Sequence, residues 1–216
     1  MKYNIVFNKG KNKAGNFVFY TRAGVQIARG YSEMVSNPRT PNQIEARKKL
    51  AFISGIAKGF APVLKMGYSV VDNAMYSARN FFVKDNYDNL TYNASTQVTS
   101  IAYEDLKLSK AGDINPVAPG EANFETPLTV TCAIDDGYEE PIYGLATDKV
   151  MLVVYNKTKG RCMYDNSKTR ADSTLSCSVT GNWQGDFVET YVIVNRPADY
   201  GFECSEAIYC GTGRIS

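Results

Sequence analysis

Near Asn93 the spacing of apolar residues changes from three-and-four to two, and this switch restricts the chain to a helical part followed by a strand-rich part. Upstream, Ala46, Leu50, Ile53, Ala57, Phe60 and Leu64 make the stripe of an amphipathic helix. Downstream, short alternating runs at 98–103, 106–109, 128–134, 149–155, 161–164, 174–179, 187–195 and 202–210 are broken by turn clusters at 116–120, 135–137, 159–160 and 181–182. Strands of this length and spacing predict an antiparallel, immunoglobulin-like β-sandwich. The expected fold class is therefore α+β: an N-terminal β-hairpin and helix pair (1–92), then the sandwich (93–216).

Charge divides the chain at the same place. Residues 1–90 carry 14 Lys+Arg against 5 Asp+Glu, whereas residues 91–216 carry 10 against 17. A shift of this size at a change of period marks two structural parts. Within the basic part, 16–21 and 24–29 alternate around Arg22-Ala23 and predict a hairpin. The run Ser36-Asn37-Pro38-Arg39-Thr40-Pro41-Asn42-Gln43 writes a helix start: Thr40 caps, Pro41 takes the first helical position, and Gln43 is placed to reach back to the Thr40 amide. Pro62 predicts a bend near the helix end. Arg47, Lys58 and Lys65, close to whole turns apart, predict a basic stripe off the apolar face.

Gly67 suits a helix C-terminus, and Ser69 with Asp72 offers a second capping box. The second helix then has Val71, Ala74, Met75, Ala78, Phe81 and Phe82 on its apolar face and stops near 86–89. In the strand-rich part, the 185–192 segment resembles the late strand of immunoglobulin-like or fibronectin-like domains, with Tyr191 in the place of a corner tyrosine.

The chain has no histidine, no phosphate-binding loop and no cluster with metal-ligand spacing. Cys132, Cys162, Cys177, Cys204 and Cys210 are odd in number and lack C-x-x-C spacing, so neither a disulfide framework nor a zinc site is expected. Cys132 and Cys177 fall in alternating apolar patterns and read as small core residues. Asp135-Asp136 and Glu139-Glu140 flank Gly137 in a loop pattern and read as solvated turn residues, not calcium ligands. Ser176 and Ser178 have no base to activate them. The first residues lack the apolar run of a secretory signal, and no segment reaches the ~20 apolar residues of a membrane span. No catalytic residue, metal or cofactor is expected, and the chain reads as made in the cytoplasm.

Taken together, 36–47 with the apolar helix after it, 102–112, the 150–156 strand, Gly185-Asp186 with Tyr191, and the closing 205–209 run resemble a family of unknown function found in Bacteroidota and their phages. The 36–47 segment is also similar to helix-leading segments in small phage virion proteins, including head-to-tail and tail components. What this implies is a non-enzymatic virion subunit, made in the host bacterial cytoplasm, whose partners are copies of itself and neighbouring virion proteins. Its expected interface residues are Arg22, Arg29, Arg39, Arg47, Lys48, Lys58 and Lys65. A second expectation is a carbohydrate- or protein-binding sandwich, with Trp183 and Tyr164 as ligand contacts. A third is nucleic-acid binding by the basic part, disfavoured because no nucleic-acid fold signature accompanies the charge. A membrane partner is not expected.

Overall fold

The computed structural model describes residues 12–14, 16–22, 24–31, 39–69, 76–135, 144–199 and 201–216. Three layers form its body. A sheet of β8 (Lys149–Asn156), β9 (Arg161–Thr169), β11 (Phe187–Ala198), β12 (Gly201–Cys204) and β13 (Ile208–Arg214) occupies the middle. The sheet β10-β7-β6, from β6 (Ala118–Asn123), β7 (Thr129–Asp135) and β10 (Thr174–Ser178), covers one face. Helices α1 (Pro41–Gly59), α2 (Ala61–Gly67) and α3 (Ala78–Asn86) cover the other.

The period of two in β8 and β11 places the middle sheet between these layers. Along β8, Val150, Leu152 and Val154 enter the inter-sheet core, while Met151, Val153 and Tyr155 enter the helix-side core. Along β11, Val188, Val192 and Val194 face the sheet, and Tyr191 and Ile193 face the helices. Strands buried on both faces read as near-continuous apolar runs, as 149–155 and 187–195 do. All pairings among the long strands are antiparallel, and the chain changes sheet between β7 and β8, β9 and β10, and β10 and β11. This is the Greek-key route of an immunoglobulin-like sandwich. The helices do not have a core of their own: Ile53, Ile56, Phe60, Val63, Leu64 and Phe82 share one cluster with Met151, Val153, Tyr155, Tyr191 and Ile193.

Several expectations change here. The bend predicted at Pro62 is present as a full break at Phe60, where α1 and α2 diverge by 86°. Pro62 lies in the first turn of α2, where its ring and missing N–H stop α1 from continuing. The bend removes Lys65 from any stripe shared with Arg47 and Lys58. Of the predicted apolar stripe, Ala46 and Leu50 are exposed, and burial begins at Ile53. Gly67 ends α2 as expected, but for close packing: a Cβ there would lie 2.3 Å from the Leu108 carbonyl oxygen.

The second helix is not capped by Ser69. Its hydroxyl donates to the Phe202 carbonyl at 2.9 Å and accepts from the Phe202 amide at 2.7 Å, tying the end of α2 to β12. Ser77 caps α3, accepting from the Asn80 amide. Asp72, Val71, Ala74 and Met75 lie outside the described residues; Ala78 and Phe82 are buried as expected, and Phe81 is half-buried.

The predicted strand at 106–109 has no strand partner among the described residues. Leu106 and Leu108 are buried, but the backbone of Lys107 bonds the Asn86 side-chain amide in both directions, and the Lys110 amide donates to the Gly67 carbonyl. Helix ends thus take the backbone groups a sheet would have used. The predicted 98–103 strand shortens to β5 (Val98–Ser100), paired with β4 (Thr91–Asn93), and Tyr103–Asp105 forms a 3-10 turn. The predicted break at 116–120 instead leads into β6, where Pro119 sits opposite Ile134 beside a register shift, on an edge strand that tolerates a missing N–H. The predicted strand at 202–210 divides into β12 and β13 around Ser205, whose amide and hydroxyl continue the contact with Val194. Tyr191 is no corner tyrosine: its hydroxyl donates at 2.8 Å to the carbonyl of Tyr103, on the helix side.

Candidate functional site

The first described strands form a separate small sheet, β1 (Asn12–Ala14), β2 (Phe17–Arg22) and β3 (Val25–Gly30), in the order β1-β2-β3. The predicted hairpin is its β2-β3 pair, with Phe17 opposite Gly30 and Arg22 opposite Val25. Register fixes its two faces. Phe17 and Phe19 point one way, with Thr21, Gln26 and Ala28; Val18, Tyr20, Val25 and Ile27 point the other, with Arg22 and Arg29. Both faces are apolar, yet Phe17 is 54% exposed, Val25 63% and Tyr20 38%.

The first turns of α1 are exposed as well. Thr40 accepts from the Gln43 amide at 3.4 Å and Pro41 sits in the first turn, as the sequence predicts. The reciprocal half of the capping box is missing, since Gln43 Oε1 is buried and has no hydrogen-bond partner. Ala46, Arg47, Lys48 and Leu50 face outward, with Leu50 51% exposed. Beside Leu50 a cleft of about 740 Å³ runs between α1 and α3. Leu50, Val83 and Tyr87 give it apolar surface, and Arg79 and Lys84 line it from α3. Arg79 is fixed across the cleft by donating to the Ser54 carbonyl.

The expected basic residues therefore divide into groups. Arg22 and Arg29 lie on one face of the small sheet, Arg39 precedes α1, Arg47 and Lys48 lie on its exposed first half, and Lys58 is exposed in its last turn. Lys65, on α2, points elsewhere because of the bend. Sequence reasoning did not find the cleft, whose residues come from two helices that are not consecutive in the chain; the only signal was Leu50, an apolar residue one turn before burial starts.

The other expected pair is not brought together. Trp183 is 4% exposed and packs in the inter-sheet core, with only an edge on a cleft beside Lys159 and Arg161. Tyr164 is exposed on β9 and shares the face of Cys162, which packs toward the helices. The two aromatics lie on opposite faces of the middle sheet.

One buried acid has the look of a reactive group. Glu189 accepts from Lys157 at 2.5 Å and from the Tyr209 hydroxyl at 2.6 Å, and Lys157 also lies 5.4 Å from the Tyr103 ring centre. Burial, then the bond to Glu189, pushes the Tyr209 hydroxyl above its ordinary range. Both carboxylate oxygens are occupied, so the group serves as a paired charge closing the end of β11. Burial also pushes the thiols of Cys162, Cys177 and Cys204 up to about 12, far from reactive thiolates. Among the described residues no three His, Cys, Asp or Glu side chains are grouped to hold a metal ion. Asp136, Glu139 and Glu140 lie outside the described residues. No single described helix is long and apolar enough to cross a membrane.

No curated protein and no solved structure matches the chain. A family model does, across residues 8–211, which spans the small sheet, the helices and the sandwich into its last strand. The chain belongs to the family of unknown function DUF6266.

Proposed function

We propose that the chain is a non-enzymatic structural subunit of a bacteriophage particle, assembling through its N-terminal sheet and the exposed first half of α1. The exposed apolar residues of β2 and β3, uncovered among the described residues, carry this reading. A sheet this small is marginal by itself, and apolar residues on both faces gain stability only when something covers them. Phe17, Tyr20, Val25 and Leu50 supply the apolar area; Arg22, Arg29, Arg39, Arg47, Lys48 and Lys58 add positive charge that suits an acidic surface. Residues 91–216 of a second copy, with 17 acidic against 10 basic side chains, offer such a surface. A head-to-tail contact of that kind makes a ring when its rotation closes. The phage attribution draws its support from the likeness of 36–47 to segments of small virion proteins. The ligand-binding sandwich loses support because Trp183 and Tyr164 do not converge.

The test is incorporation. A tagged chain is produced in a phage-producing Bacteroidota host, and particles are purified on a density gradient. Wild type should band with the particles, and Arg47→Glu with Lys58→Glu should stay at the top while its urea midpoint is unchanged. Wild type that never bands with particles would overturn the phage reading. Equal incorporation of the folded double reversal would remove the basic face from it. Steeply salt-dependent binding to bare DNA would favour the nucleic-acid alternative instead.

A further inference from the structure

We propose that Cys132 and Cys210 form a latent cross-link between the two sheets, a disulfide that a small peroxide closes in the folded protein. The inference does not depend on the assembly reading. Three features of the fold place the two residues together. First, β13 carries a β-bulge: Thr190 pairs with Gly211 and Tyr191 with Tyr209, so Cys210 is the extra residue with no partner in the ladder. Gly211 takes the positive φ of 117° at this irregularity. Bulges re-aim side chains, and this one sends Cys210 into the inter-sheet core, where it is 5% exposed.

Second, Cys132 enters the same core from β7, between Ala122 of β6 and Leu175 of β10. Third, β13 closes directly onto the end of β6: a Cβ on Gly213 would meet the Phe124 ring at 2.2 Å. Cys132 Sγ donates to the carbonyls of Gly120 at 3.3 Å and Ala133 at 3.4 Å, and Cys210 Sγ to that of Ile208 at 3.4 Å, so both sulfurs are held within this core. The influence of each on the other raises Cys210, with burial adding to it, and lowers Cys132 against the opposing effect of burial. Cys132 is therefore the sulfur better able to react first, and Cys210 the one placed to resolve it.

The chemistry balances with hydrogen peroxide as oxidant. The Cys132 thiolate attacks one peroxide oxygen, giving a sulfenic acid and, after protonation of the leaving hydroxide, water. The Cys210 sulfur then displaces the sulfenic oxygen as a second water, and the S–S bond forms. One peroxide is reduced to two waters as two thiols are oxidised. The sulfurs must close to about 2.05 Å, a movement that falls on the bulged strand.

Full-length protein is treated with hydrogen peroxide under native conditions, quenched, then unfolded and alkylated for peptide mapping. The expected product is a single linked peptide joining Cys132 to Cys210, with Cys162, Cys177 and Cys204 alkylated. Because the closed loop is long, oxidation should raise the urea midpoint by roughly 1–2 M, reversed by reductant. Cys210→Ala should lose both the linked peptide and the shift. If that variant does not fold, the wild-type map decides alone. Alkylation of both cysteines after peroxide treatment, linkage to another cysteine, or linkage only in denaturant would overturn the proposal.

Discussion

Replacing Asp148 by Asn tests whether a single buried carboxylate holds three strand ends together. Asp148 precedes β8, and its side chain is 1% exposed. It accepts from Arg196 Nε and Nη2 at 2.7 and 2.8 Å and from the Leu145 amide at 2.8 Å, and Arg170 Nε lies 3.4 Å away. Arg170 is itself 1% exposed and also donates to the Asn115 carbonyl. An amide keeps the shape but removes the charge between two guanidinium groups, one of them fully buried. Breaking a buried pair this way costs about 3–5 kcal/mol. With a urea slope of roughly 2–3 kcal/mol per molar, the midpoint should fall by about 1–2 M. The control is Glu45→Gln, which removes the 2.9 Å surface pair with Lys49 and should barely move the midpoint. Burial pushes the Asp148 carboxyl up, but the hydrogen bonds from Arg196 and Leu145 and the charges of Arg196 and Arg170 outweigh it and hold it below the usual carboxylate range. Its contribution is therefore fully present above pH ~4 and lost as the pH falls through the lower folded value. Wild type and variant should converge in acid. A neutral-pH shift for Asp148→Asn no larger than that of Glu45→Gln would refute the reasoning.

Thr40→Ala should destabilise by about 1 kcal/mol in urea titration, the usual cost of losing an N-cap. Gln43→Leu should cost nothing measurable, because Gln43 Oε1 is already buried without a partner and the capping box is only half made. Tyr191→Phe should lower stability by about 1–2 kcal/mol, since it leaves the Tyr103 carbonyl without its hydroxyl donor inside the helix-side core. Differential scanning calorimetry of the three variants, with wild type, separates these outcomes.

The sandwich and the start of α1 were legible in the sequence because local chemistry decides them. Val150 to Tyr155 alternate and are buried on both faces, and Thr40-Pro41 can begin little else than a helix. The failures came where distant groups decide. Ser69 looks like a cap until Phe202, 133 positions away, takes its hydroxyl in both directions. The 106–109 run alternates like a strand, but Asn86 and Gly67 satisfy its neighbouring backbone groups. Trp183, the one tryptophan, looked like a ligand platform and is core, because the turn after β10 folds it under the sheet. The apolar surface of β2 and β3 was visible residue by residue; its exposure on both faces was not, since alternation alone cannot say whether a layer lies above it.

The change of period at Asn93 and the boundary between folded body and the proposed docking surface are different places. Helix α1 joins both. From Ile53 onward its buried residues share a cluster with Met151, Val153 and Tyr191, so this half cannot leave without opening the middle sheet. Before Ile53, Ala46, Arg47, Lys48 and Leu50 are exposed. At 1.5 Å per residue, the 19 residues of α1 span roughly 28 Å, about half rooted in the body and half presenting its surface outward. A docking surface built on such a helix is held by the core without contributing to it. Charge reversal at Arg47 can therefore alter association while the cluster around Phe60 and Tyr191 keeps its stability, and this separation is what makes the incorporation experiment interpretable.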